Sequence, residues 1–123
     1  MKIKLIAPHE QRKNMISNPF PIQRVNLPLL AALTPPGHTM TIVEESFAPD
    51  DMNHDVDLVG ITVMTELVLR AYDIADAYRQ KGVKVVMGGI HPTVLPDEAL
   101  MHADAVVVGE AEGVWPRLLS DAA

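Results

Sequence analysis

The run Val83-Lys84-Val85-Val86-Met87-Gly88-Gly89-Ile90-His91-Pro92-Thr93 constrains this chain more than any other stretch. A β-branched apolar segment, too short for a free-standing helix, stops abruptly at two glycines, a histidine and a proline. Such a run reads as a strand buried on both faces, as parallel strands are. Gly88-Gly89 removes side chains where the strand ends, so the backbone can bend there and come close to a bound molecule. In open α/β sheets, ligands sit beyond that end of the strands. Adjacent glycines also shape plain strand-to-helix connections, so the run by itself leaves both roles open.

The rest of the chain supplies the neighbours such a strand needs. Ile3 to Ala7, ended by Pro8, reads as a first, central strand. The polar, proline-punctuated stretch from His9 to Pro21 is expected as a long loop at the ligand end. Leu27 to Thr34 has helix composition, with Pro28 in its first turn and Pro35-Pro36-Gly37 stopping it. Thr39 to Val43 alternates as an edge strand does. Glu44 to Asp57 is acidic and irregular. A metal site can be imagined from His54 and its carboxylate neighbours, but a charge run of this kind reads as a solvated connection.

Val56 to Thr62 is the third strand, and Thr62-Val63-Met64-Thr65 makes a hydroxyl-bearing bend into the longest helix, Glu66 to Lys81, stopped by Gly82. Leu67, Ala71, Ile74, Ala75 and Tyr78 give that helix a core face, while Glu66 and Arg70 are spaced as a solvent-facing pair. After the glycine run, a short helix begins near Pro96-Asp97-Glu98. Asp104 to Val108 is a fifth strand, ending in Gly109-Glu110-Ala111-Glu112-Gly113, and a last helix runs through Trp115, Leu118 and Leu119. Strands separated by helices predict a three-layer, doubly wound, five-stranded parallel sheet of the flavodoxin-like (Rossmann-like) kind, with strand order 2-1-3-4-5. The 123 residues suit a single domain.

Composition narrows the chemistry. At 48% hydrophobic and 21% charged residues the chain reads as globular rather than disordered. A net charge of -6 without a Lys/Arg cluster gives no footprint for nucleic acid. No apolar run approaches the roughly 20 residues of a membrane span, and the first residues are too short for a signal h-region, so a cytoplasmic protein is expected. The absence of cysteine excludes disulfides, thiolate metal sites and iron–sulfur ligation within these residues.

Four connections converge on the ligand end: His9 to Pro21, Thr62 to Thr65, Gly88 to Thr93, and Gly109 to Gly113. None carries the phosphate-binding GxxxxGK[ST] or the dinucleotide GxGxxG. A phospho-accepting receiver domain needs an aspartate where Thr62 stands and an acidic pair where only Glu10 is found. The threonines near His91 lack a nucleophile elbow, and Glu110 and Glu112 suit a helix N-terminus as well as an acid–base pair. His38, His54 and His102 read as surface residues. What remains suits a large ligand held by many weak contacts, with glycines for close backbone approach and Met64, Ile90 and Pro92 for apolar surface.

Taken together, Asp57-Leu58-Val59-Gly60-Ile61-Thr62-Val63-Met64-Thr65, Gly88-Gly89-Ile90-His91-Pro92-Thr93 with Pro96-Asp97-Glu98-Ala99-Leu100, and Asp104-Ala105-Val106-Val107-Val108-Gly109-Glu110-Ala111-Glu112 resemble the N-terminal cobalamin-binding domain of radical SAM enzymes. Order and spacing carry the resemblance, which covers most of the chain. It implies a corrin ring over the ligand end of the sheet and a nucleotide tail among the loops. The residues it implies in contact are Thr62, Met64, Thr65, Gly88, Gly89, Ile90, His91, Pro92, Thr93, Gly109 and Glu110.

It also implies a parent protein whose barrel, the partner of this domain, holds a [4Fe–4S] cluster and cleaves S-adenosylmethionine. That barrel would act on a small metabolite or tetrapyrrole-like substrate, by methyl transfer or ring formation. The present residues would then be an N-terminal fragment or a stand-alone homologue, non-catalytic alone. Other cobalamin domains give the cobalt a histidine from DxHxxG after the first strand. Here that place reads Pro8-His9-Glu10-Gln11-Arg12-Lys13, which implies cobalamin bound without a histidine from that motif. The family's frequent GEGE is Gly109-Glu110-Ala111-Glu112 in this chain. Two rival readings are a docking domain whose ligand site has lapsed, which would expose an apolar patch, and a small hydrolase built on His91 and a glutamate with a raised pKa.

Overall fold

Each short apolar run becomes a parallel strand. In the computed structural model, which describes residues 1–9 and 26–122, these are β1 (Lys2–Ala7), β2 (Thr39–Glu44), β3 (Leu58–Thr62), β4 (Lys84–Gly88) and β5 (Ala105–Val106). They form one sheet in the order β2-β1-β3-β4-β5, all pairs parallel. This is the predicted flavodoxin-like arrangement. The helices are α1 (Asn26–Ala32), α2 (Val68–Gln80) behind a 3-10 turn at Thr65–Leu67, α3 (Ile90–Val94), α4 (Pro96–Leu100) and α5 (Trp115–Ala122). Most of the expected loop from His9 to Pro21 lies outside the described residues. No helix among the described residues is long and apolar enough to cross a membrane.

The two-residue period of a strand sends alternate side chains to opposite faces, and two core layers result. Ile3, Leu5, Leu58, Val86 and Val107 pack under Leu27 and Leu30 of α1 and under Trp115 and Leu119 of α5. On the other face, Ile6, Val59, Ile61, Val85 and Met87 pack under Ala71, Tyr72, Ile74, Ala75 and Tyr78 of α2. Leu67, expected on that core face, is only half-buried because the chain is still in the 3-10 turn there. β5 shrinks to two residues, since Val107 already leaves the ladder after one backbone bond to Met87.

The acidic connection after β2 departs most from expectation. No helix forms between Glu44 and Leu58, so part of the α2 face of the sheet is covered by this segment instead. Asp51, His54 and Asp55 are exposed as a solvated connection requires, but Glu45 and Asp50 are buried. The reason is Lys4, which the strand period of β1 points to this face. Its ammonium donates to Asp50 and Asp51, both at 3.0 Å, to the Asn53 carbonyl at 3.3 Å and to the Tyr78 hydroxyl at 2.8 Å. The Tyr78 hydroxyl in turn donates to Asp50. Arg70 does not serve a Glu66 pair. Its guanidinium grips Glu45 with two bonds, at 3.0 and 2.7 Å, the fork geometry that suits a carboxylate.

Candidate functional site: a cleft at the strand ends

On the α1/α5 face, the carboxyl ends of the central strands border a cleft of about 420 Å3. Its floor is Leu5, Gly60, Val86 and Val107, its walls are Leu27 and Leu30 of α1 and Trp115 of α5, and its rim is the glycine turns after β4 and β5. The floor is deep because position 60 has no side chain. A Cβ at Gly60 would stand 2.8 Å from Leu5 Cδ2 and 4.0 Å from the Trp115 ring. Trp115 presents its ring to the cleft while its indole N–H donates to Thr34 Oγ1 at 3.0 Å, which meets the need of a buried tryptophan for a polar partner.

The turn after β4 is tighter than a loop. Gly89 adopts φ +108°, and a Cβ there would lie 3.0 Å from both the N and O of Val63. Both conditions admit only glycine without strain. The Val63 N–H donates to Gly88 O at 2.8 Å, and the His91 N–H returns to Val63 O at 3.0 Å, so the ends of β3 and β4 are stitched together. α3 starts at once, at Ile90. The expected glycine loop from Gly88 to Thr93 is therefore a strand end plus one helical turn, because those backbone bonds leave no slack.

His91 is 5% exposed and faces away from the cleft. Its Nε2 lies 2.9 Å from Glu98 Oε1 and its Nδ1 3.3 Å from Thr65 Oγ1. The Tyr72 hydroxyl donates to the same Glu98 oxygen at 2.8 Å. Bonds from His91 and then Tyr72 hold the Glu98 carboxyl below its usual range, and burial, reinforced by Glu98, pushes the Tyr72 phenol up. A hydrolase acid would need the reverse shift. Tyr72 also stacks on His102 at 3.9 Å, and His102 pairs with Asp76 at 2.8 Å. His102 is accordingly half-buried in a packed cluster rather than a surface residue, and His38 is half-buried with its Nδ1 3.0 Å from the amino terminus.

Of the residues singled out in the sequence, the fold brings Thr62, Gly88, Gly89, Ile90, Thr93, Gly109 and Glu110 to the cleft. Met64 and Thr65 follow β3 outside it, and His91 and Pro92 are buried on the side of α3 turned away from the cleft. Leu27, Leu30, Gly60, Val94 and Trp115 line the cleft without having been picked out. Gly60 within an apolar strand and the single tryptophan were the available signals. Ionisable groups are confined to the rim, at Glu110 and Glu112, and no group of His, Asp and Glu among the described residues is arranged to hold a metal ion.

The family model of the B12 binding domain matches residues 8–119, nearly the whole chain. The chain belongs to the B12-binding domain family. This B12-binding domain is 47% identical over 109 residues, 87% of its length, to the bacteriochlorophyllide d C-8(2)-methyltransferase of Chlorobaculum tepidum. It is 34% identical over 120 residues, 95% of its length, to the bacteriochlorophyllide d C-12(1)-methyltransferase of the same organism. An uncharacterized methyltransferase of Pyrococcus horikoshii is 31% identical over 134 aligned positions, spanning 97% of the chain. The domain spans only 24%, 26% and 29% of these relatives, so they are much longer chains. No solved structure matches it significantly.

Proposed function

We propose that this chain is the cobalamin-binding part of a longer radical SAM methyltransferase, holding the corrinoid at the strand-end cleft. The observation that carries the reading is the cleft itself, a deep apolar slot opened by Gly60 and rimmed by backbone at Gly88, Gly89 and Gly109. A slot of this size is too small for a whole corrin ring but fits the flat, apolar end of a nucleotide tail. Thr62, Gly88, Gly89, Ile90, Gly109 and Glu110 would hold the cofactor, with Thr93 beside them between the two glycine turns and Trp115 and Leu30 against the tail. Met64 and Thr65 stand beside the strand ends and are the next candidates for contact with the macrocycle. His91 and Pro92 would support that wall from behind rather than touch the ligand.

When bound, the cofactor supplies a cobalt centre able to carry a methyl group. The chain's own residues bind, orient and shelter it. Membership of the B12-binding family and the methyltransferase relatives support this reading. The names of two relatives support a tetrapyrrole-like methyl acceptor for the parent. A [4Fe–4S] cluster and S-adenosylmethionine would belong to the parent's barrel, since none of the 123 residues is a cysteine. The cobalt would receive no histidine from the DxHxxG position, where Pro8 to Lys13 lacks both the aspartate and the final glycine.

The test is a calorimetric and visible-spectrum titration of the 123-residue chain with hydroxocobalamin, run beside cobinamide, which lacks the nucleotide tail. Saturable binding is expected, at least tenfold tighter for hydroxocobalamin. Paramagnetic resonance of the reduced, cobalt(II) form is expected to lack nitrogen splitting. No saturation up to high micromolar concentration overturns the reading in favour of a docking domain, and equal affinity for cobinamide overturns the role given to the slot.

A further inference from the structure

We propose that Thr93 is a positioning residue, whose hydroxyl joins the glycine turn after β4 to the glycine turn after β5 and so sets the separation of the two rim walls of the cleft. The ladder cannot do this. β4 and β5 pair only at Val86 with Ala105 and at Met87 with Val106, and one further backbone bond, Val107 N–H to Met87 O at 2.8 Å, ends the contact. Beyond it the two turns have no common sheet.

The Thr93 side chain bridges that gap. Its hydroxyl donates to Gly89 O at 2.7 Å and accepts the Gly109 N–H at 3.0 Å, which is within the capacity of one hydroxyl. Gly109 has φ +83°, and nothing lies within 4 Å of the place its Cβ would occupy. Among the described residues no side chain packs against that position, and the bond from the Gly109 N–H to Thr93 ties its turn to the one after β4. α3 itself is a five-residue helix, too short to be stable alone. His91 fastens it behind to Glu98 and Thr65, and Thr93 fastens it in front to Gly109. Both turns line the cleft, as Gly89 and Ile90 on one side and Gly109 and Glu110 on the other. A hydroxyl at position 93 thus acts on the cleft through geometry, whatever the ligand touches.

The affinity part of this inference rests on the cleft being the cobalamin site, and a second readout does not. Thr93→Val keeps the shape and removes both bonds, while Thr93→Ser keeps the hydroxyl. In the ligand-free chain, exchange of the Gly109 amide with water, followed by saturation transfer in NMR, is expected to quicken in Thr93→Val by roughly three- to tenfold, the scale of one net hydrogen bond. It should stay near wild type in Thr93→Ser, with the Val63 amide unchanged in both. Hydroxocobalamin should bind Thr93→Val about three- to tenfold more weakly and Thr93→Ser within a factor of about two. An unchanged Gly109 rate in folded Thr93→Val overturns the proposal, as does a Thr93→Ser that loses as much as Thr93→Val. If wild type binds no cobalamin, the Proposed function falls, and the exchange rates alone still decide for or against the tie.

Discussion

The two faces of the sheet solve opposite problems. Among the described residues, the face under α1 and α5 is left open where β3 and β4 end, is lined almost wholly by apolar groups, and keeps its depth through a missing side chain at Gly60. The face under α2 is closed, and where a helix is lacking it is closed by charge. Lys4, Asp50 and Tyr78 are interlocked beneath the acidic segment, and Glu45 is gripped by Arg70. The difference separates two uses of one sheet. Polar groups paired on the α2 face hold that face closed, whereas the apolar space rimmed by glycine on the other face is the one to which the proposed cofactor is assigned. Burial works against the charge on Lys4, yet its bonds to Tyr78, Asp51 and Asp50 outweigh this and raise its pKa. Burial likewise opposes ionisation of Glu45, and Arg70 with the backbone amides of Asp50 and His9 outweighs it and lowers its pKa.

The contrast breaks first at Lys4. The Lys4→Ala variant leaves the Asp50 carboxylate, whose side chain is fully buried, without its cation, and is expected to cost about 3–5 kcal/mol of unfolding free energy in urea. Replacing both partners, as Lys4→Met with Asp50→Leu, should recover most of that loss. A cost below about 1 kcal/mol for Lys4→Ala would mean that the charges do not hold the closed face together.

A smaller effect follows from pH. Burial, then the bond to Asp50, pushes the Tyr78 phenol from 10.0 up to about 12. The folded chain therefore keeps the phenol proton to higher pH than the unfolded chain. The resulting stability is intact below pH 10 and is lost as pH rises through about 12, on the order of 2 kcal/mol in total. Urea midpoints between pH 8 and 12 should show this decline, and Tyr78→Phe should make it shallower, leaving the part that the raised Tyr72 and Lys4 contribute. An equally steep decline in the variant would assign the alkaline limb elsewhere.

The smallest stability effect belongs to the open face. In Gly60→Ala the new methyl meets the end of the Leu5 side chain, which has the cleft to swing into, so stability should fall by no more than about 1 kcal/mol. Hydroxocobalamin affinity should fall by roughly tenfold, because the floor of the slot has risen. A variant that loses stability but not affinity would reverse the roles given to the two faces.

Much of this was legible in one dimension. The strand order followed from five short apolar runs and their connections, and Gly89 from a glycine pair at the end of a buried strand. The cleft was legible only in part. The residues from Gly88 to Thr93 were picked out together, yet the helical turn at Ile90–Val94 sends Ile90, Thr93 and Val94 to the cleft and His91 and Pro92 behind it. A loop reading contains no such division. Spacing of four points Arg70 to Glu66, a local signal, whereas its partner Glu45 lies 25 residues away.

Residue patterns along the chain are enough for the alternation of strand and helix, the parallel order of the sheet and the glycine turns at its carboxyl end. These depend on side-chain period and backbone freedom, which act over a few residues. Three-dimensional packing is needed for a lysine on β1 to meet a tyrosine 74 residues later, for Trp115 to wall a cleft floored by Gly60, and for the hydroxyl of Thr93 to reach Gly109. Such pairings need distant segments brought together by the whole packed core, and no local pattern records them.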